Sequence, residues 1–190
     1  GLSALRGLHQ AKLPTGQSMA EAVDVVSAVS GGSVTAAYFA LEGVSGFKAL
    51  EQKFIRKDGI SALLSRGLNP VGLGALATPS KERIDLLIDY LDDRLFAGRT
   101  YADLVARGER PYLILNAADM VAGVPFAFTQ ANFSLLCSDL TRTRLSVAVA
   151  ASAAFPVALS PVTLTSYSPC PAQEQGRWPP TWVANAADQT

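Results

Sequence analysis

Ser30 stands between small residues, in Ala28-Val29-Ser30-Gly31-Gly32, at the end of a β-branched run made by Val23, Val25, Val26 and Val29. A serine so placed is a candidate nucleophile. The pattern predicts a strand over 23–29 that turns at once into a helix over 33–41, and such a turn forces its central residue into a strained conformation with an outward side chain. Small residues are expected at Ala28 and Gly32, because bulk there would collide across so tight a turn. The N–H of Gly31, bare at a helix N-terminus, is the candidate donor to the negative charge of a tetrahedral intermediate. Ala28 replaces the first glycine of the usual G-x-S-x-G pattern, and its methyl group is expected to fit if the facing strand residue is also small. An ordinary Gly-Ser turn would use the same residues, so the motif alone leaves both readings open.

Other chemistries find less support. The single histidine, His9, lies upstream of Ser30, whereas an α/β-hydrolase triad runs Ser, Asp or Glu, then His along the chain. His9 is read instead as an exposed residue ending the helix of Leu2, Leu5 and Leu8. Cys137 and Cys170 have no metal-ligand spacing, so neither a metal nor another cofactor is expected. Cys137 falls in a helical pattern with Phe133, Leu136 and Leu140, where a buried free thiol is expected; Cys170 lies between prolines, and a bridge between the two stays open.

The elements that must position Ser30 follow from periodicity. Strands are predicted over 23–29, 112–116, 126–129 and 162–166, with helices between them. Thr78-Pro79-Ser80 opens a helix in which Ile84, Leu87, Ile88, Leu91 and Leu95 form one core face, while Asp85, Asp89, Asp92, Asp93 and Arg94 form a solvated one. Phe47, Leu50, Phe54 and Ile55 read as core, and Ile60 to Leu64 continues the apolar pattern. In the glycine-rich stretch Asn69 to Ala77, residues Val71 to Leu76 are the candidate exposed apolar contact. The uncharged run Leu145 to Leu164 is interrupted by Pro156 and Pro161, which favours a buried helix followed by a loop and a strand over a membrane span. Residues 168–190, with four prolines, Trp178 and Trp182, read as a loop.

With 190 residues, 49% of them hydrophobic, and 16 basic residues balanced by 16 acidic ones, the composition fits one domain. Zero net charge without a Lys/Arg cluster gives no cationic surface for nucleic acid.

Two further segments carry a resemblance. Pro111 to Gln130 contains Asn116-Ala117-Ala118-Asp119, and Ala148 to Val162 contains Ala151-Ser152-Ala153-Ala154-Phe155-Pro156. Both resemble signature blocks of the patatin-like phospholipase family, in that family's order, and Gly1 to Leu5 resembles the start of its first helix. The resemblance implies a three-layer α/β/α fold with a mixed central sheet. It also implies hydrolysis of acyl esters by a Ser-Asp dyad without histidine, acting on phospholipid or another lipid ester, with peripheral membrane contact and no assigned compartment.

The family's catalytic aspartate sits in an Asp-Gly-Gly or Asp-Gly-Ala turn after the second block, and its oxyanion loop is glycine-rich and precedes the first helix. Neither occurs here: the one Asp-Gly pair is Asp58-Gly59, and Asp188 is followed by Gln189. The expectation is a single domain over 1–190, truncated at both ends, whose dyad aspartate lies outside the chain. Asp119 and Asp188 are the in-chain substitutes to examine. The alternative is a non-catalytic lipid-binding or interaction module that keeps the fold.

Overall fold

The computed structural model describes residues 1–56, 83–108, 110–154 and 159–167. Helix α1 (Leu2–Gln10) precedes strand β1 (Val25–Val29), which passes through Ser30 into helix α2 (Gly31–Glu42). Helices α3 (Phe47–Leu50), α4 (Arg83–Leu91) and α5 (Tyr101–Arg107) lead to the hairpin β2 (Tyr112–Asp119) and β3 (Val124–Phe128). Helices α6 (Gln130–Leu135) and α7 (Leu145–Ala153) follow.

The sheet is mixed, in the order β1-β2-β3. β1 runs parallel to β2 with Val25 opposite Tyr112 and Val29 opposite Asn116, whereas β3 returns antiparallel with Phe128 opposite Leu115. The return is set by the turn itself: Asp119 Oδ1 accepts the N–H groups of Val121 (2.9 Å) and Ala122 (3.1 Å), and Gly123 takes a left-handed φ of 69°. This is the expected α/β architecture.

Its strand limits differ from those read in the sequence. β1 starts at Val25, β2 runs on to Asp119, and β3 covers Val124–Phe128 because Thr129 is already the N-cap of α6, accepting the Asn132 N–H at 3.4 Å. The strand expected over 162–166 is absent. Leu159, Val162 and Leu164 do pack on the core, but this alternation is met by side-chain packing without ladder hydrogen bonds.

One face of the sheet is covered by helices. Val26 and Ala28 of β1 and Leu113 and Leu115 of β2 pack with α2 and α7, and Phe126 and Phe128 of β3 meet Phe133 of α6, all in one core. Helices α2 and α7 are apolar on nearly every side, which suits elements buried all round. Ala36, Ala37 and Ala40 on α2, and Ala148 and Ala150 on α7, are all buried, and such small side chains let helices approach closely. The stripe predicted for α4 is buried as expected, from Ile84 to Leu91 and on to Leu95 in the π-helical continuation Asp92–Phe96. Its Thr78-Pro79-Ser80 cap lies outside the described residues. On the opposite face of the sheet Val25 (55%), Val29 (61%) and Tyr112 (48%) are exposed.

Three smaller expectations change. Phe47, Leu50 and Phe54 join the core, but Ile55 is exposed; Ile60 to Leu64 and Asn69 to Ala77 lie outside the described residues. His9 is half-buried rather than exposed, because its Nδ1 meets Ser18 Oγ at 3.1 Å and its ring packs edge-on against Phe47. Cys137 is held in a disulfide and is not the buried free thiol expected: at φ 56°, just past α6, it has left the helical face. Cys170 and the loop 168–190 lie outside the described residues. Among the described residues no helix is long and apolar enough to cross a membrane, and α7 ends at Ala153.

Candidate active site

The strand-to-helix junction lies at Ser30. Its backbone has φ 55° and ψ −136°, outside the regions that L-residues populate readily. Holding a residue there costs about 1–3 kcal/mol. Serine is normally a good N-cap, in an extended conformation with its hydroxyl accepting a backbone N–H of the first turn. Ser30 makes no such bond, so its hydroxyl is left uncommitted among the described residues, at an exposed position.

Gly31 and Gly32 are exposed as well, and their N–H groups at the first turn of α2 have no acceptor among the described residues. The α2 dipole therefore ends on bare donors next to the Ser30 hydroxyl, an arrangement suited to developing negative charge. The steric expectation at Gly32 is corrected: a Cβ built there, or at Gly31, meets nothing within 4 Å. The turn does not require glycine at 32 for space. Ala28 pairs with Leu115, so its methyl is accommodated without the small facing residue set as the condition; it lies on the helix-covered face and packs against the core.

Behind Ser30 the site is closely bonded. The Ser30 N–H donates to Ser152 Oγ at 2.9 Å, Ser152 Oγ donates to the Asn116 carbonyl at 2.6 Å, and Ser33 Oγ lies 2.7 Å from Ser152 Oγ. A hydroxyl has one proton, and a carbonyl can only accept. The Ser152 proton therefore goes to Asn116, and Ser33 must be the donor in the Ser33–Ser152 pair. Asn116 also reaches forward, its Nδ2 donating to Ser27 Oγ (2.9 Å) and to the Ala28 carbonyl (3.1 Å).

No carboxylate among the described residues is hydrogen-bonded to the Ser30 hydroxyl. Asp119, one of the two in-chain substitutes, caps the β2–β3 turn with its Oδ1, and Asp188 lies outside the described residues. Among the described residues no cluster of three or more His, Cys, Asp or Glu could hold a metal ion.

The profile of the patatin-like phospholipase family matches residues 1–177. The chain belongs to the patatin-like phospholipase family. Neither curated proteins nor solved structures give a match. Patatin-like phospholipases act on lipid substrates, and membership places this chain in a lipid hydrolase superfamily.

The two blocks quoted for the resemblance meet at Ser30: Asn116 comes from the first and Ser152 from the second. The sequence pattern marks the blocks but assigns no task to these two side chains or to Ser33. The signal for Ser33 was available. It is a hydroxyl in the first turn of a helix rich in apolar residues, three residues after Ser30, and it is fully buried.

Proposed function

We propose that this patatin-like phospholipase is a serine acyl-ester hydrolase of phospholipid or lysophospholipid esters, with Ser30 as nucleophile. Ser30 Oγ attacks the ester carbonyl while an aspartate that is not among the described residues takes the hydroxyl proton. The Gly31 N–H, with a further donor, stabilises the oxyanion. Collapse of the tetrahedral intermediate expels the alcohol, which receives that proton, and water then cleaves the acyl-serine by the same steps. An aspartate as base is what the family resemblance implies, and it is consistent with the sole histidine, His9, being engaged with Ser18 and Phe47.

The observation that carries this reading is the backbone of Ser30. A serine kept at φ 55°, ψ −136° without the capping bond open to it gives up stability for an uncommitted hydroxyl beside bare helix N–H groups. The test is hydrolysis of phospholipid vesicles by the intact protein and by its Ser30→Ala variant. We expect a loss of about a thousandfold or more, with an unchanged circular dichroism spectrum. Undiminished hydrolysis by the variant would remove Ser30 from the mechanism.

One observation favours the rival reading, a lipid-binding module without catalysis: the Ser30 hydroxyl has no carboxylate partner among the described residues, and Asp119 is engaged in its turn. Vesicle binding by the intact protein without any acyl release would establish that alternative.

A further inference from the structure

We propose that Ser152 is a positioning residue for the Ser30 nucleophile, acting through the Ser30 backbone N–H; the proposal rests on the reading of Ser30 given above. Ser152 sits in the last turn of α7, nine-tenths buried, where that helix crosses the end of the sheet. Every bonding site of its hydroxyl is in use. The proton goes to the Asn116 carbonyl (2.6 Å), and the two lone pairs take the Ser30 N–H (2.9 Å) and the Ser33 hydroxyl (2.7 Å). A serine so saturated is neither nucleophile nor base. What it does is tie three elements, β2, α7 and the start of α2, to the strained peptide unit at Ser30.

The bonds lie where they can fix that conformation. The Ser30 N–H belongs to the peptide that ends β1, and the carbonyl one residue earlier, at Ala28, is held by Asn116 Nδ2 at 3.1 Å. The chain entering Ser30 is thus gripped from the buried side by Ser152 and from the neighbouring strand by Asn116. Relaxation of Ser30 toward an ordinary extended N-cap would have to break the Ser152 bond and leave a hydroxyl lone pair unsatisfied in the α2–α7 seam. Ser33 has a lesser part, because its loss removes one donor and leaves both the Ser30 and the Asn116 bonds in place.

The test joins a readout that needs no activity with one that does. Amide hydrogen exchange on the wild-type protein should show the Ser30 N–H protected while the exposed Gly31 and Gly32 N–H groups exchange freely. Equal exchange at all three would overturn the proposal without any variant. In Ser152→Ala, protection at Ser30 should fall while that of Leu113 and Leu115 in β2 is kept. Inactivation of Ser30 by a fluorophosphonate should slow about 10- to 100-fold per folded molecule, chiefly through kcat when hydrolysis is followed.

Ser152→Thr, which keeps the hydroxyl, should restore most of the rate, and Ser33→Ala should change it only a few-fold. Equal losses from Ser33→Ala and Ser152→Ala would mean that both only pack the seam, and the proposal would fall. If the wild type shows the protection pattern but is never labelled, the reading of Ser30 as nucleophile fails while the tether to Ser152 stands.

Discussion

The two sides of Ser30 are built oppositely. Behind it, Ser33 is fully buried, Ser152 nearly so, and Leu115, Leu145, Ala148 and Val149 are closed off from solvent. In front, Ser27, Val29, Gly31 and Gly32 are exposed, and the sheet face that carries Val25 and Tyr112 is open among the described residues. A strained residue persists only where its surroundings over-determine it, and a nucleophile is useful only where a substrate can reach it. The rear supplies the first condition and the front the second.

Ala97 makes a useful contrast. It also has a positive φ, but at φ 50°, ψ 43° it rests in the ordinary left-handed well that ends a helix, and it needs no external tether.

The largest effect should come from the buried side. Leu115→Ala removes a fully buried side chain from the helix-covered face and should cost about 2–5 kcal/mol in urea unfolding, whereas Val25→Ala on the open face should stay within about 0.5 kcal/mol. A comparable loss at Val25 would break the comparison, because it would mean that the open face is packed in the intact protein. Next comes the strain itself. Ser30→Gly should raise the unfolding free energy by about 1 kcal/mol and abolish hydrolysis, since glycine adopts this φ at little cost. No stabilisation would show that Ser30 is unstrained.

Gly32→Ala sharpens the same point. With nothing within 4 Å of the added Cβ, it should be neutral or stabilising by up to about 1 kcal/mol, whereas the collision expected from the sequence would destabilise.

The smallest effect is acid sensitivity remote from the site. Hydrogen bonds from Arg6 and then Arg56 hold the Glu51 carboxyl below the usual range; the Thr100 N–H does so for Asp103, and the Thr141 hydroxyl, then its N–H, for Asp139. A carboxylate whose folded pKa is depressed adds stability above its unfolded pKa and loses it as pH falls through the folded one. The urea midpoint should therefore hold down to about pH 4.5 and drop below it, and Glu51→Gln should flatten part of that drop. These groups are solvated, so the slope should be shallow.

How much of this was legible in the sequence divides along the same line as the two sides of Ser30. Local features were readable: the strand of β-branched residues before Ser30, begun at Val25 and not Val23, the glycines after it and the i, i+3, i+4 stripe of α4 all depend on neighbours in sequence. Features that depend on distant partners were not. The 162–166 segment alternates like a strand yet forms none, because alternation reports which side chains are buried and not which backbone is paired. Ser33, Asn116 and Ser152 are separated by up to 119 residues, and no local pattern reveals that three hydroxyl and amide groups share one bonding point. The smallness of Gly32 suggests steric necessity in the sequence, while the open space around it shows that the turn closes without that constraint.

The most direct test of the central claim is fluorophosphonate labelling of the intact protein, with the modified residue located by peptide mass spectrometry. The account predicts a single adduct on Ser30, abolished by Ser30→Ala and slowed by Ser152→Ala. An adduct on another serine, or none on a folded protein that nevertheless hydrolyses lipid esters, would contradict it.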